Sequence, residues 1–303
     1  MKDLKLSSTG IVLAIIGVIL FSAKAVLVKL AYNYNISSEH LLLFRMLFSL
    51  PFYLGIVFFN TSSNPQQVGA KDYLWVLFFG FVGYYLASYF DFLGLQYIKA
   101  GLERIILFLY PTLVIIISRV FFKKYISSKQ LLAILLTYIG VFITFWGELK
   151  FEGSSNELIL GVSLVFLSAL TYAIYLVGSG WLIPKFGVIR FTSLAMIVSS
   201  LCIIIQYLIV DRGNIIDYPL ELYLICIAMA IFSTIIPSYL VSAAIERLGA
   251  SNFSIIASLG PFSTIILAYF ILSERLSLLQ IVGAGVVIFG IYIVSGKNKR
   301  NGK

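Results

Sequence analysis

The chain has 303 residues, of which 60% are hydrophobic, 16% aromatic and only 12% charged, with a formal net charge of +9. A water-soluble domain is about 45–50% apolar and about 25% charged, so this chain carries more apolar surface than one soluble core can hide, and the same excess excludes disorder. The positive residues sit in short connections and at the two ends, which is how a membrane protein is oriented and not how a nucleic-acid groove is built.

Ten stretches are apolar for about 17 to 25 residues each, the length that crosses a hydrocarbon core of about 30 Å as helix. In chain order they lie near residues 9–32, 39–59, 73–97, 101–122, 129–146, 157–180, 190–210, 219–245, 250–272 and 276–295. The expected fold class is therefore all-α integral membrane, with ten transmembrane helices. The first stretch follows Lys2 and Lys5 without a small-residue cleavage site, so it reads as a retained helix. If the N-terminus is cytoplasmic, the inside connections and ends collect Lys71, Lys123, Lys124, Lys129, Lys185, Arg190 and the basic tail, an excess of about two to one over the outside set. Both termini are thus expected in the cytoplasm, with the chain in the plasma (inner) membrane.

Charges inside these stretches need a reason, because a bilayer core is a poor solvent for them. Lys24 in helix 1 lies about 12 Å below the outer end, and Arg45 in helix 2 and Asp91 in helix 3 lie about 9 Å below it, at 1.5 Å per residue. All three therefore share one level. They read as the wall of a polar cavity; the alternative is an Arg45–Asp91 ion pair between helices, with Lys24 snorkelling to the interface. Glu103, at the outer start of helix 4, reads as a gate residue or an interfacial charge. Tyr84, Tyr110, Tyr172, Tyr175 and Tyr239 offer ring faces with hydroxyls deep in the helices, and Asn252, Ser254 and Ser258 add polar atoms on helix 9. Such a mixture suits an amphipathic organic solute, though each tyrosine also reads as packing. Pro111 and Pro261 sit inside helices 4 and 9 and Pro237 inside helix 8, where a missing N–H bends a helix and frees carbonyls.

Sliding the sequence by 150 positions aligns residues 74–145 with 224–295 without a gap, matching Ser88 with Ser238, Tyr89 with Tyr239, Pro111 with Pro261, Gln130 with Gln280 and Gly140 with Gly290. Each half then holds five helices, and an odd number inverts the second half in the membrane. Two inverted-topology five-helix repeats are the architecture of carriers that alternate access around a site near the midplane.

The segment running from Gly94 and Leu95 through Gly101, Leu102, Glu103 and Arg104 to Tyr110, Pro111 and Thr112 resembles the first EamA domain of the drug/metabolite transporter superfamily. The run from Gly260 and Pro261 through Glu274, Arg275, Leu276, Gln280, Gly283 and Gly290 resembles the second. In the first half Lys124, Tyr125 and Ile126 stand where the second has Glu274, Arg275 and Leu276. The resemblance implies two tandem EamA domains, residues 1–147 and 157–296, followed by a basic tail, 297–303. It also implies a cavity lined mainly by helices 1, 3, 4, 6, 8 and 9, with helices 5 and 10 at the periphery, where a homodimer contact would form.

The expected function is secondary active transport of small organic metabolites or drugs, amino-acid-like or amphipathic, by alternating access and in the direction of export. No Walker-type glycine loop is present, so the energy would come from a gradient, with no cofactor and with Asp91 as the carboxylate for proton coupling. An uptake carrier, a channel or a lipid-handling carrier are the alternatives on the same fold. An enzyme is not expected, because His40 is the only histidine, Cys202 and Cys226 lie in apolar runs, and Asp91 is the one carboxylate well inside a helix. The expected partners are a small-molecule substrate and the lipid bilayer, with no nucleic acid.

Overall fold

Each apolar stretch becomes a helix because a chain in hydrocarbon must satisfy its backbone polar groups within the segment. The structure, a computed structural model, describes residues 7–59, 68–95, 97, 106–123, 125–145, 155–210, 217–272 and 277–295. Among these residues there are ten antiparallel helices and no strand. They are α1 (Ser8–Tyr32), α2 (Ser38–Phe59), α3 (residues 70–95), α4 (Tyr110–Phe122), α5 (Ser128–Phe145), α6 (Ser155–Phe186), α7 (Val188–Val210), α8 (residues 220–248), α9 (residues 250–272) and α10 (Leu278–Ser295). Seven of them, α1, α2, α3, α6, α7, α8 and α9, are long and apolar enough to cross a membrane, and α4, α5 and α10 contain shorter apolar helices. Glu103, Arg104, Lys124, the Glu274–Arg275 pair and the tail 297–303 lie outside the described residues.

Helix ends follow local chemistry. The Ser7 hydroxyl accepts the Gly10 N–H at 3.3 Å and caps α1. Gly187 and Gly249, with φ of +75° and +76°, end α6 and α8 by donating to Ile183 and Ile245 carbonyls at 2.8 Å, and only one residue then separates each helix from the next. Helix α6 runs six residues beyond the predicted end at 180, to Phe186. Its last turn finds partners there: Lys185 pairs with Asp72 at 2.7 Å and lies 4.8 Å from the Trp181 ring centre.

The packing carries the twofold relation of the repeat. Helix α1 packs on α8 and α9, and its counterpart α6 packs on α3 and α4; α2 packs on its counterpart α7, and α5 on α10. The α5–α10 contact is mirrored residue by residue. A Cβ on Gly140 would stand 2.7 Å from the Gly283 carbonyl oxygen, and one on Gly290 would stand 3.1 Å from the Ala133 oxygen. The glycine faces of these two helices are therefore used within the chain, where close approach of backbones replaces the hydrophobic drive that lipid removes. The outward faces are apolar throughout, with Phe58 82% and Val210 76% exposed, a surface that lipid tolerates and water does not.

Both halves break their helices at matching positions. In α3 the stretch Phe81–Leu86 is π-helical, and in α8 Ile231–Ile235 is, 150 positions later. The second widening precedes Pro237, whose ring would otherwise meet the carbonyl four residues back. The first has no proline. There Gly83 presses against α6, so closely that a Cβ would stand 2.2 Å from the Tyr175 Cβ. Helix α4 is preceded by a turn at 106–109 in which the Leu109 N–H meets the Ile106 carbonyl at 3.0 Å, and α9 has a 3₁₀ turn at Ala257–Leu259. The irregularities thus fall just N-terminal to Pro111 and Pro261, because proline tolerates the first turn of a new helical segment better than the interior of an old one.

Candidate functional site

Let the proximal end be the one that carries Ser8 and Ser295, and the distal end the opposite one. The helix breaks open a cavity of about 210 Å³ between the two halves. Its wall comes from α1 (Phe21, Ser22, Lys24), α2 (Arg45), α3 (Gly83, Tyr84, Ser88, Asp91), the turn before α4 and α4 itself (Phe108, Tyr110), α6 (Ser168, Tyr172), α8 (Val241) and α9 (Phe253, Ala257, Gly260, Pro261). The charges stand in the distal half. Val241, Phe253 and Ala257 stand toward the proximal end as an apolar floor.

Local structure places each group. The π-helical stretch carries Gly83 and Tyr84 to the wall, a common use of such widenings. Where the helices break, hydroxyls from neighbouring helices take the carbonyls: Ser22 donates to Gly260 at 3.0 Å and to Val18 at 2.7 Å, and Ser168 donates to Ala87 at 2.7 Å. Aromatic rings meet edge to face around the space, Tyr84 with Tyr175 at a centre distance of 4.8 Å and Tyr110 with Tyr172 at 5.4 Å.

Arg45 is 5% exposed, and its Nε has no acceptor among the described residues. Asp91, Tyr53 and Tyr84 act on it electrostatically, but no Arg45–Asp91 ion pair forms among the described residues. The Tyr84 hydroxyl, on a residue 6% exposed, interacts with the Tyr175 hydroxyl but outside ordinary hydrogen-bond geometry. Lys24 and Asp91 complete the charged layer.

Of the residues singled out in the sequence, Lys24, Arg45, Tyr84, Asp91, Tyr110, Tyr172 and Pro261 thus meet on one wall. The others lie elsewhere. Tyr175 is 1% exposed and packs between Tyr84, Tyr172 and Phe191. The Tyr239 hydroxyl bonds Ser193 at 2.6 Å, and Asn252 accepts from Gln130 Nε2 at 3.0 Å while donating to the Leu248 carbonyl at 3.0 Å. Ser258 bonds back to Ser254 at 3.5 Å within α9, and Pro111 and Pro237 are buried away from the wall. Glu103 lies outside the described residues. Helix α2 joins the six helices expected to line the space, solely through Arg45. Ser22, Ser88 and Ser168 were not singled out; a small hydroxyl two residues before Lys24 and another three before Asp91 were the available signals.

The proximal end is packed shut. Gly17 meets Leu240 and Val241, with a would-be Cβ 3.1 Å from the Leu240 Cβ. Tyr53 donates to the Thr234 carbonyl at 3.3 Å and lies 2.9 Å from Ser238 Oγ, and Thr192 donates to Ser242 at 2.7 Å. Nearer the end, Arg190 donates to the Tyr73 hydroxyl at 2.7 Å beside the Asp72–Lys185 pair. No group of three or more His, Cys, Asp or Glu that could hold a metal occurs among the described residues.

The geometry has relatives. The chain is 28% identical over 303 residues to a Bacillus subtilis (strain 168) protein described as the uncharacterized transporter YcbK, covering 98% of this chain and 96% of that one. It is 28% identical over 232 residues to an uncharacterized transporter of Archaeoglobus fulgidus, covering 77% and 81%. A solved structure, titled only as the crystal structure of a protein, superposes with a TM-score of 0.76 at 14% identity, covering 94% of this chain and 96% of that one, which speaks for the fold. The EamA-like transporter family matches residues 8–146 and again 159–296, so both halves of the bundle are accounted for and the chain belongs to that family, a multi-pass membrane transporter.

Proposed function

We propose that the cavity is the solute site of a secondary carrier that exports small organic molecules by alternating access. The observation that carries this reading is the cavity itself: it lies between two inverted halves, is walled by charges and aromatic rings, and is bordered by helix breaks that recur in both repeats. Its volume is below the ~300 Å³ at which drug-sized pockets begin, and at ~30 Å³ per water it has room for about seven water-sized groups, which favours a small solute. With the termini in the cytoplasm and the chain in the inner membrane, as the lysine and arginine bias favours, the packed proximal end faces inward and the charged half of the cavity faces outward. Asp91 is the coupling carboxylate, on the same wall as the two cations that a solute would engage.

Purified protein in liposomes, offered labelled amino acids, organic acids, sugars, nucleosides and cationic drugs, tests the reading. At least one class should be carried, and Gly260→Trp, which fills the cavity, should abolish that flux. Asp91→Asn should abolish proton-driven accumulation and leave solute exchange. Undiminished flux through Gly260→Trp would remove the cavity from the transport path, and an unchanged pH dependence in Asp91→Asn would make Asp91 a structural group only.

A further inference from the structure

We propose that the solute carries a carboxylate, which docks on Arg45 and Tyr84 with its apolar or aromatic body among Phe108, Tyr110 and Tyr172. This rests on the cavity being the solute site and names the chemical class it takes.

The argument begins with Arg45. A guanidinium stays protonated and has five N–H donors and no acceptor. In a membrane interior such a charge must be matched, because leaving it without acceptors is far more expensive than in water. Yet Arg45 is 95% buried, its Nε meets no acceptor among the described residues, and it forms no ion pair there with Asp91. Tyr84 brings a hydroxyl to the same wall, on the helix next to Arg45 in sequence; it points to Tyr175, outside ordinary hydrogen-bond geometry, and can turn to a stronger acceptor. A buried guanidinium on a cavity wall, with a hydroxyl in its field, calls for an acceptor from outside the chain. Of the small organic acceptors, a carboxylate fits best: it is acceptor-only, it takes the guanidinium fork, and it brings the negative charge.

The wall as a whole agrees. Its described residues include two cationic side chains, Lys24 and Arg45, and one carboxylate, Asp91. The remaining surface is largely ring faces and aliphatic carbon, from Phe21, Phe108, Tyr110, Tyr172, Phe253 and Pro261. Such a surface has nothing to offer a sugar's ring of hydroxyls and much to offer an apolar body.

Three probes of one shape separate the possibilities: phenylacetate, phenylacetamide and phenethylamine. Each is added to the protein in phosphatidylcholine nanodiscs, where no anionic lipid competes, and thermal stabilisation is read together with exchange flux in liposomes. Phenylacetate should raise the melting temperature and drive exchange, with the amide and the amine at least about tenfold weaker. Arg45→Gln should weaken phenylacetate about tenfold or more, and Arg45→Lys, which keeps the charge and loses the fork, less than that. Tyr84→Phe removes one hydroxyl and should weaken it several-fold, which keeps the test alive if Arg45→Gln does not fold. Preference for the amine or the amide, or phenylacetate binding unchanged in both Arg45→Gln and Tyr84→Phe, overturns the inference while leaving the cavity as a solute site. Failure of all three probes also overturns it, and whether the cavity is a solute site is then decided separately by Gly260→Trp.

Discussion

The two halves of the bundle share a backbone plan and differ in what they put at equivalent positions. Counting 150 residues on from Arg45 and Asp91 leads to Ala195 and Val241, and the one-residue shift of the first helices leads from Lys24 to Tyr175. In the first half these positions hold charges on a cavity wall. In the second, Ala195 is 0%, Tyr175 1% and Val241 2% exposed, and of these only Val241 touches the cavity, as part of its floor. The twofold relation sends the distal half of one repeat to the proximal half of the other, so the symmetry that would make two equal cavities is broken by side chains alone. The distal half of the cavity is walled by groups that need solvation, and the proximal half is filled by groups that pack.

Forcing the halves to match should break this arrangement most severely. Ala195→Arg would place a cation at the mirror position of Arg45, where the Gly80 backbone already presses so closely on the Ala195 carbonyl that a Cβ would stand 2.7 Å from it. A buried charge without a partner should cost about 3–5 kcal/mol, read as a large fall in melting temperature and in membrane yield. The α5–α10 seam offers a graded version of the same test. Gly140→Ala drives a methyl to 2.7 Å from the Gly283 oxygen and should cost about 1–3 kcal/mol; Gly290→Ala, at 3.1 Å from the Ala133 oxygen, should cost less, and equal melting temperatures would show that the seam gives way equally on both sides.

The prolines sharpen the comparison through rate. Pro261 stands on the wall and Pro111 does not, so Pro261→Ala should slow flux several-fold and Pro111→Ala less, both at normal yield. Equal flux in the two variants and the wild type would make both bends packing features. The smallest effect is expected at Tyr239→Phe, which removes the 2.6 Å bond to Ser193 in the packed proximal seam. It should cost about 1 kcal/mol of stability and leave ligand affinity unchanged, in contrast to Tyr84→Phe.

Much of the site was legible because charges inside apolar stretches are rare and each had to be explained. Lys24, Arg45 and Asp91 were placed at one level by counting residues along three helices. The tyrosines were not legible in the same way. Tyr172 and Tyr175 are one turn apart on α6, and a hydrophobic face on a helix that is apolar all round does not say which of them meets the cavity and which the core. Nor did the sequence separate the Arg45–Asp91 pair from two residues on one wall, because a shared level says nothing of direction around the helix. Asn252 looked like a cavity group and instead ties α9 to α5 through Gln130, a contact between residues 122 positions apart.

By itself the sequence determined the membrane class, the number of helices and the repeat. Those properties follow from composition and from a fixed rise per residue, which act locally and survive without knowledge of neighbours. Only the tertiary structure decided which faces meet: that Arg45 lacks an acceptor beside Tyr84, that Gly140 and Gly290 are spent on one internal seam, and that the proximal half is shut. In lipid every helix is apolar on all sides, so the pattern that reveals the buried face of a soluble helix is absent, and facing is settled by close packing and hydrogen bonds between residues far apart in the chain.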